Sequence, residues 1–350
     1  MKHKSVSLVV IAKNESRCIE RCLNSVRPLV DQMLVLDTGS TDGTVELAQS
    51  CGAEVMHFKW CDDFSAARNS ALEHSLTDWN LILDADEWLE VGGHRLLQDQ
   101  LQHAYIGLTM IKSIDQSSGV DQFSTDWLPR LLPKGVFYRG KIHEQPFSSL
   151  PRRRIELTIL HDGYTRVALE SKRGRNRVLL VDELRSTPDD PYLLYQLGKD
   201  YEVYGEIQAA AEMYLKAQAL LVDSSPYVHD LVIRAISCLS RSSQFDHAIK
   251  LMDQYALEYQ DSPDFYFAAG NAFLDKGLSD PLHALDQWLP RAIEAWRRCL
   301  EIGEQPALAG SVIGRGSFLA AFNLHVVFNV LGDSEKSDYF LQASQKMKSS

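Results

Sequence analysis

The first 90 residues alternate two kinds of apolar pattern. "VSLVVIA" (6–12), "QMLVLD" (32–37), "AEVMHF" (53–58) and "WNLILDAD" (79–86) are short apolar runs, as expected of strands buried on both faces. Between them lie stretches with helical spacing. In "SRCIERCLNSV" (16–26), Cys18, Ile19, Cys22, Leu23 and Val26 fall on one stripe. "TGSTDGTVELAQSCG" (38–52) reads as a turn and a capped helix, in which Ser40, Thr41 or Asp42 accepts from the free N–H groups and Gly52 marks the stop. "DFSAARNSALEHS" (63–75) reads as a third helix. Strand–helix alternation of this kind predicts an α/β fold, a mainly parallel sheet with helices on both faces. Ligands of such sheets bind outside the carboxyl ends of the strands, which should bring Asp37 and Asp84 together in space.

From about residue 188 the period changes. Leu194, Leu197, Gly198, Tyr201, Ala210, Tyr214 and Ala217 follow the helix–turn–helix pattern of a tetratricopeptide repeat, with Leu where that pattern has Trp. Ala248, Met252 and Tyr255 repeat its second half. Ala269, Gly270, Phe273, Ala292, Trp296 and Cys299 give another copy, and Leu324, Val327, Phe340 and Ala343 a weaker last one. The spacing exceeds the usual ~34 residues, which implies insertions such as "SDPLHALDQWLP". Several stacked helical pairs bury a continuous core that one pair could not. The expected division is an α/β domain over 1–175 and an all-α repeat domain over 188–350. The linker between them, roughly 165–190, carries the basic "SKRGRNR" and ends at Pro188 and Pro191.

Composition narrows the classes. The 350 residues are 45% hydrophobic and 24% charged, as in soluble globular proteins. A formal charge of −11 opposes a protein built to grip nucleic acid. No run approaches the ~20 apolar residues of a membrane span. The short apolar run at the start lacks a small-residue cleavage site, so it reads as a strand rather than a signal peptide, and a cytoplasmic protein is expected. The six cysteines form no CxxC pair and read as reduced thiols, Cys18 and Cys22 being the two whose i, i+4 spacing zinc could use. No GxGxxG follows the first strand, which counts against an NAD enzyme.

The chemistry concentrates in "WNLILDADEWLE" (79–90), where Asp84, Asp86 and Glu87 end an apolar run. Carboxylates so close repel one another, and burial makes each charge costlier, so positive charge or a surrounding shell of water must meet them. Asp-x-Asp at a strand's carboxyl end is a workable seat for Mg²⁺ or Mn²⁺, which take one or two carboxylates and complete their shell with water and substrate phosphate. The plain alternative is an acidic turn capping the next helix.

"VVIAKNES", "VLDTGSTDGT", "WCDDFSAARNSAL" and "LILDADEW" follow one another in this order. Together they resemble the family 2 glycosyltransferases of the GT-A fold, over about residues 5–165. The resemblance implies that Ala12, Asn14, Glu15 and Asp37 hold the base and ribose of a nucleotide-sugar donor and that Arg68 lies near the nucleotide. It gives Asp84 and Asp86 to ribose, diphosphate and a Mn²⁺ or Mg²⁺ ion. UDP-sugar is the donor it suggests, although Thr38 stands where many relatives carry a second acidic residue. "FYRGKIHEQP" (137–146) and "LHDGY" (160–164) resemble segments of bacterial transferases with helical-repeat tails. Among these are peptide S-glycosyltransferases that modify cysteine in glycosylated bacteriocins; similar segments occur in transferases that extend lipopolysaccharide cores.

By the same resemblance, inverting transfer needs a general base for the acceptor's proton. Glu144 is the candidate and Asp126 the second. His143 would orient the base or touch the donor, and His161 would add a nitrogen ligand to the metal. Each has a plainer alternative: Glu144 in a loop salt bridge, His161 a satisfied histidine at a strand end. Trp88 and Trp127 are sugar-stacking faces or buried aromatics. Arg152–Arg154 and "SKRGRNR" are contacts for an anion or simply solvated charge. The expected activity is metal-dependent transfer of a sugar to a peptide, protein or glycan acceptor. The repeats would offer a surface for that acceptor or for a second subunit in a homodimer. A non-catalytic tetratricopeptide scaffold with a degenerate transferase domain is the alternative. A nucleotidyltransferase would want a Gly-rich basic loop after strand one, and "IAKNESR" has none.

Overall fold

The computed structural model describes residues 3–90, 101–115, 122–164, 174–221 and 225–349. The chain forms two compact units, Met1–Leu179 and Leu180–Ser350.

The first unit begins as its pattern predicts, with β1 (Val6–Ala12), α1 (Ile19–Val26), β2 (Gln32–Asp37), α2 (Thr44–Ser50), β3 (Glu54–His57), α3 (Phe64–Glu73) and β4 (Trp79–Asp84). These strands lie parallel in the order β3-β2-β1-β4. Successive side chains of a strand point to opposite faces, and both faces are covered. Val6, Leu8, Val10 and Ala12 pack with Ile19, Cys22, Leu23 and Val26 of α1 and Ala48 of α2. Val9, Leu34, Leu36 and Ile82 pack with Ala67, Ala71 and Leu72 of α3. Burying each large aliphatic side chain stabilises by roughly 1.5–3 kcal/mol. Gly43 holds the N-cap position of α2 without a side-chain cap, and Asp42, just before it, accepts through Oδ1 from Thr44 N at 3.0 Å. Ser40 is used otherwise: its Oγ accepts from Asn14 N at 2.9 Å.

Beyond β4 the simple alternation stops. β5 (Glu87–Leu89), β6 (Ile106–Asp115), β7 (Gln122–Pro133) and β10 (Arg152–Tyr164) extend the sheet in the order β4-β7-β6-β10-β5, and β8 (Phe137–Arg139) pairs with β9 (Gln145–Phe147) in a separate hairpin. The sheet is therefore mixed: β7 is antiparallel to β4 and β6, β10 runs parallel to β6, and β5 is antiparallel to β10. The acidic turn after β4 caps no helix, since the chain enters β5 at once.

In the second unit, α4 (Arg175–Ser186) occupies much of the stretch read as linker, with Leu179 and Leu180 buried. Four helical pairs follow: α5 (Pro191–Val203) with α6 (Ile207–Ala219), α7 (Val228–Arg241) with α8 (Phe245–Tyr255), α9 (Pro263–Ser279) with α10 (Leu289–Ile302), and α11 (Phe318–Val330) with α12 (Ser334–Ser349). One core runs through them, from Tyr214 and Ala217 to Leu324 and Phe340. The repeat glycines have a steric reason. A Cβ on Gly198 would meet Tyr214 Cε1 at 2.4 Å, and one on Gly270 would meet Trp296 Nε1 at 2.6 Å. Each glycine lets the second helix of its pair seat an aromatic ring. The insertion before α10 holds a π-helical turn, Ala284–Trp288, whose Trp288 Nε1 donates to Asp280 at 3.0 Å. Among the described residues no helix is long and apolar enough to cross a membrane.

Candidate active site

Strand register sets the frame. Ala12 pairs with Asp37 and Ile11 with Asp84, so the two aspartates flank the end of β1 on either side. With strands ~4.8 Å apart, they stand about 10 Å from each other. Asp37 is fixed by its own turn, its carboxylate accepting from Gly39 N and Ser40 N at 3.1 Å each, with exposed His57 at 3.4 Å. The loops after β1 and β2 are zipped together. Asn14, left-handed at φ +57°, accepts through Oδ1 from Thr41 N at 2.8 Å, and Thr44 Oγ1 accepts from Glu15 N at 2.8 Å. Thr38 donates to Ala12 O through both N–H (2.9 Å) and hydroxyl (3.2 Å), a task no carboxylate could perform.

Around Asp84 the protein supplies positive charge itself. Arg68 of α3 donates from Nε to Glu144 Oε1 at 2.8 Å and from Nη2 to Asp84 Oδ1 at 3.2 Å. Arg130 of β7 donates from Nη2 to Asp84 Oδ2 at 2.8 Å and to Glu87 Oε1. Glu87 Oε2 in turn accepts from Asp84 N at 3.0 Å. One chain of charge thus runs Glu144–Arg68–Asp84–Arg130–Glu87. Its arginines are buried, whereas the Asp84 side chain is 44% exposed. Burial pushes the Asp84 carboxyl up, but Arg130 and Arg68 overcome this and hold it well below the usual carboxylate range. The same pairing outweighs the desolvation of both guanidiniums and raises them. Glu87 is shifted the other way, raised by burial and by the Asp84 charge against the pull of Arg130.

Local structure explains how Glu144 arrives there. Asn69, next to Arg68, clamps β8: its Nδ2 donates to Tyr138 O at 3.0 Å and its Oδ1 accepts from Tyr138 N at 2.8 Å. Phe64 N, at the start of α3, donates to Lys141 O at 2.8 Å. The turn between β8 and β9 then carries His143, left-handed at φ +50°, and Glu144.

β10 brings in the late histidine. His161 pairs in register with Glu87 and, on its other side, with Ser113. Its Nε2 lies 3.6 Å from Asp86 Oδ2, and its Nδ1 lies 3.1 Å from Ser113 Oγ. Burial disfavours the imidazolium, but the hydrogen bond and charge of Asp86, with Glu87 and Asp84 nearby, raise the His161 pKa. Asp86 and His161 offer an oxygen and a nitrogen donor side by side. Among the described residues no three His, Cys, Asp or Glu side chains group so as to hold an ion alone. The set therefore fits a cation that takes further oxygens from a phosphorylated ligand. Asp84, expected to share that cation, is held by two arginines.

Other expected residues make contacts outside this chain of charge. Asp126 accepts from Trp127 N at 2.8 Å and sits four residues along β7 from Arg130, roughly 13 Å away. Arg152–Arg154 begin β10, more than ~20 Å along the strand from His161, and Arg154 stacks on Trp127 at 4.6 Å. Trp88 carries Arg21 over its face at 3.5 Å. Cys18 donates to Glu15 Oε2 at 3.2 Å and Cys22 to Asp84 O at 3.6 Å, and burial pushes both thiols up. Of "SKRGRNR", residues 171–173 lie outside the described residues, and Arg175 lies over the Phe64 ring at 5.5 Å. Arg130 and Glu87 escaped the sequence reading as site residues. Their signals were a lone arginine inside "WLPRLLP" and the third carboxylate after the strand.

Known proteins share both halves. The model of Glycosyl transferase family 2 matches residues 7–115. A TPR repeat-containing protein of Synechococcus elongatus is 35% identical over 74% of this chain and 67% of its own. The SPbeta prophage-derived glycosyltransferase SunS of Bacillus subtilis is 29% identical over 83% of this chain and 71% of its own. The chain carries a domain of the family 2 glycosyltransferases. It joins a domain of that family, of GT-A type, to a C-terminal helical domain. Among solved structures, glucosyl-3-phosphoglycerate synthase from Mycobacterium tuberculosis, in complex with Mn²⁺, UDP and glucosyl-3-phosphoglycerate, is 27% identical over 31% of this chain and 44% of that one, with a TM-score of 0.27. For this glycosyltransferase the network around Asp84 is the candidate site of sugar transfer.

Proposed function

We propose that the transferase moves a sugar from a nucleoside diphosphate donor, UDP-sugar foremost, to a peptide, protein or glycan acceptor with inversion at the anomeric carbon. The observation that carries this reading is Arg68, which ties the base candidate Glu144 to Asp84 at the carboxyl ends of the parallel strands. Ala12, Asn14, Glu15 and Asp37 line the ends of β1 and β2, where base and ribose would lie. Asp86 and His161 would hold Mn²⁺ or Mg²⁺, which offsets negative charge on the departing diphosphate. Glu144 bonds Arg68 through Oε1, and Oε2 is the atom that would take the acceptor's proton. As that proton leaves, the acceptor's oxygen or sulfur bonds to the anomeric carbon, and the carbon–oxygen bond on the opposite face breaks with its electron pair going to the diphosphate. Arg68 stays protonated and orients Glu144. His143, in its left-handed turn, is the second orienting residue, and Asp126 is the alternative base. The helical domain would present the acceptor.

A screen of nucleotide sugars for release of nucleoside diphosphate tests this. One donor should turn over with Mn²⁺ or Mg²⁺ present and stop with EDTA. Full turnover in excess chelator would remove the ion, and silence from every donor would remove the activity.

A further inference from the structure

Arg130 is the one cation in an otherwise apolar stretch, and a bulge places it. Gly107 and Leu108, consecutive in β6, face Leu131 and Pro129 in β7, which leaves Arg130 as the inserted residue. Bulges re-aim a side chain out of the regular alternation. Here one nitrogen, Nη2, meets Asp84 Oδ2 at 2.8 Å and Glu87 Oε1 as well, while the buried Nε has no partner. Because Glu87 Oε2 also accepts from Asp84 N, the pair fixes both the backbone and the side chain of Asp84.

The charges around this pair are unequal. Four carboxylates (Asp84, Asp86, Glu87 and Glu144) face two guanidiniums, Arg68 and Arg130, with His161 the remaining cationic group. Asp84 is the carboxylate with room to turn, 44% exposed against 8% for Asp86. Its two oxygens are occupied because one arginine bonds each of them.

We infer that Arg130 is a positioning residue that keeps Asp84 bound to arginine and so leaves Asp86, with His161, as the seat for a divalent cation among the described residues. This rests on the transferase reading above. Its consequence is a coupling between ligands. A site with one carboxylate and one imidazole takes up a hard cation weakly until phosphate oxygens join it, and a second carboxylate would tighten it before they do. Arg130 therefore makes cation uptake wait for the donor.

The test is Mn²⁺ binding to the full chain without nucleotide, followed by calorimetry or by the resonance signal of free Mn²⁺, with circular-dichroism melting to confirm folding. Arg130→Met should bind Mn²⁺ about tenfold more tightly than the wild type, the scale on which outer-shell partners alter metal sites. Adding Asp84→Asn to Arg130→Met should return the affinity to the wild-type value. Arg130→Lys keeps a charge but lacks the guanidinium fork, and should fall between. A folded Arg130→Met that binds Mn²⁺ no better than wild type overturns the inference. If that variant does not fold, Arg130→Lys decides, and wild-type affinity there overturns it equally. The measurement uses no donor, so it stands apart from the donor screen. Silence from every donor would sink the transferase reading, whereas unchanged Mn²⁺ affinity in a folded Arg130→Met would sink this inference alone.

Discussion

Two charged networks in this protein are built from the same parts and differ in how they are closed. In the helical unit, Arg234 donates to Asp230 Oδ2 at 2.7 Å and to Glu202 Oε2 at 2.9 Å. Two phenols complete the set: Tyr195 donates to Asp230 at 2.5 Å and Tyr214 to Glu202 at 2.7 Å. Each carboxylate thus has one guanidinium and one hydroxyl, and none of these five side chains leaves a buried polar atom unpaired. In the transferase unit, Arg68 Nη1 and Arg130 Nε are buried without partners. A network that satisfies its own groups rigidifies a core. One that leaves buried donors without partners carries a cost in stability.

The sharpest break in that comparison is a change of one carboxylate in each network. Asp86→Asn should lower nucleoside diphosphate release by roughly a thousandfold, on the scale of removing a preorganised electrostatic group from an active site, with the fold intact by circular dichroism. Glu202→Gln should leave release within about twofold while lowering the melting temperature, since it strands Arg234 and Tyr214 in a packed helical core. If Glu202→Gln silenced the enzyme as Asp86→Asn does, the division into a catalytic and an architectural network would fail.

The same contrast explains what could be read from the chain. β1 to β4 and their helices were legible because both faces of each strand are buried and the helical stripes are uninterrupted. Cys18, Ile19, Cys22, Leu23 and Val26 are indeed the buried face at α1. β5 to β9 were not read, because short or half-covered strands lack a continuous apolar run and their pairing is decided across long sequence distances. Asp84, Asp86, Arg68, Glu144 and His161 were singled out before the structure joined them into neighbouring hydrogen-bonded groups. The partner each would choose was beyond reach. A bulge puts Arg130 beside Asp84, and no periodicity announces a bulge. Likewise α4 looked like a linker because "SKRGRNR" is polar, yet the apolar run that follows it buries Leu179 and Leu180.

A smaller effect tests the repeat reading. Gly270→Ala would place a methyl 2.6 Å from Trp296 Nε1 and 2.8 Å from Cδ1, in a ring that is fully buried. Overpacking of this kind costs roughly 1–3 kcal/mol. Urea denaturation of the variant should show that loss with nucleoside diphosphate release unchanged. Wild-type stability would mean that the Gly–Trp contact is slack and that the repeat pattern marks something other than close approach.

The smallest expected effect separates a charged bond from a neutral one. Burial pushes the Asp230 carboxyl up, but Arg234, Lys199 and the Tyr195 hydroxyl together hold it below its ordinary value. A lowered folded-state pKa adds stability that is present above the unfolded value of ~3.9 and is lost as pH falls through the folded value. Tyr195→Phe removes one hydrogen bond to the carboxylate and should cost about 1.5 kcal/mol at neutral pH, the lower end for a bond that involves a charged group. The Asp230 pKa then moves back toward the ordinary range. As pH falls through the folded value the carboxyl protonates in both proteins, and the difference in melting temperature should shrink. A gap of equal size at neutral and acid pH would show that the hydroxyl serves packing alone. The helical network would then owe its closure to Arg234, as the transferase network owes its own to arginine.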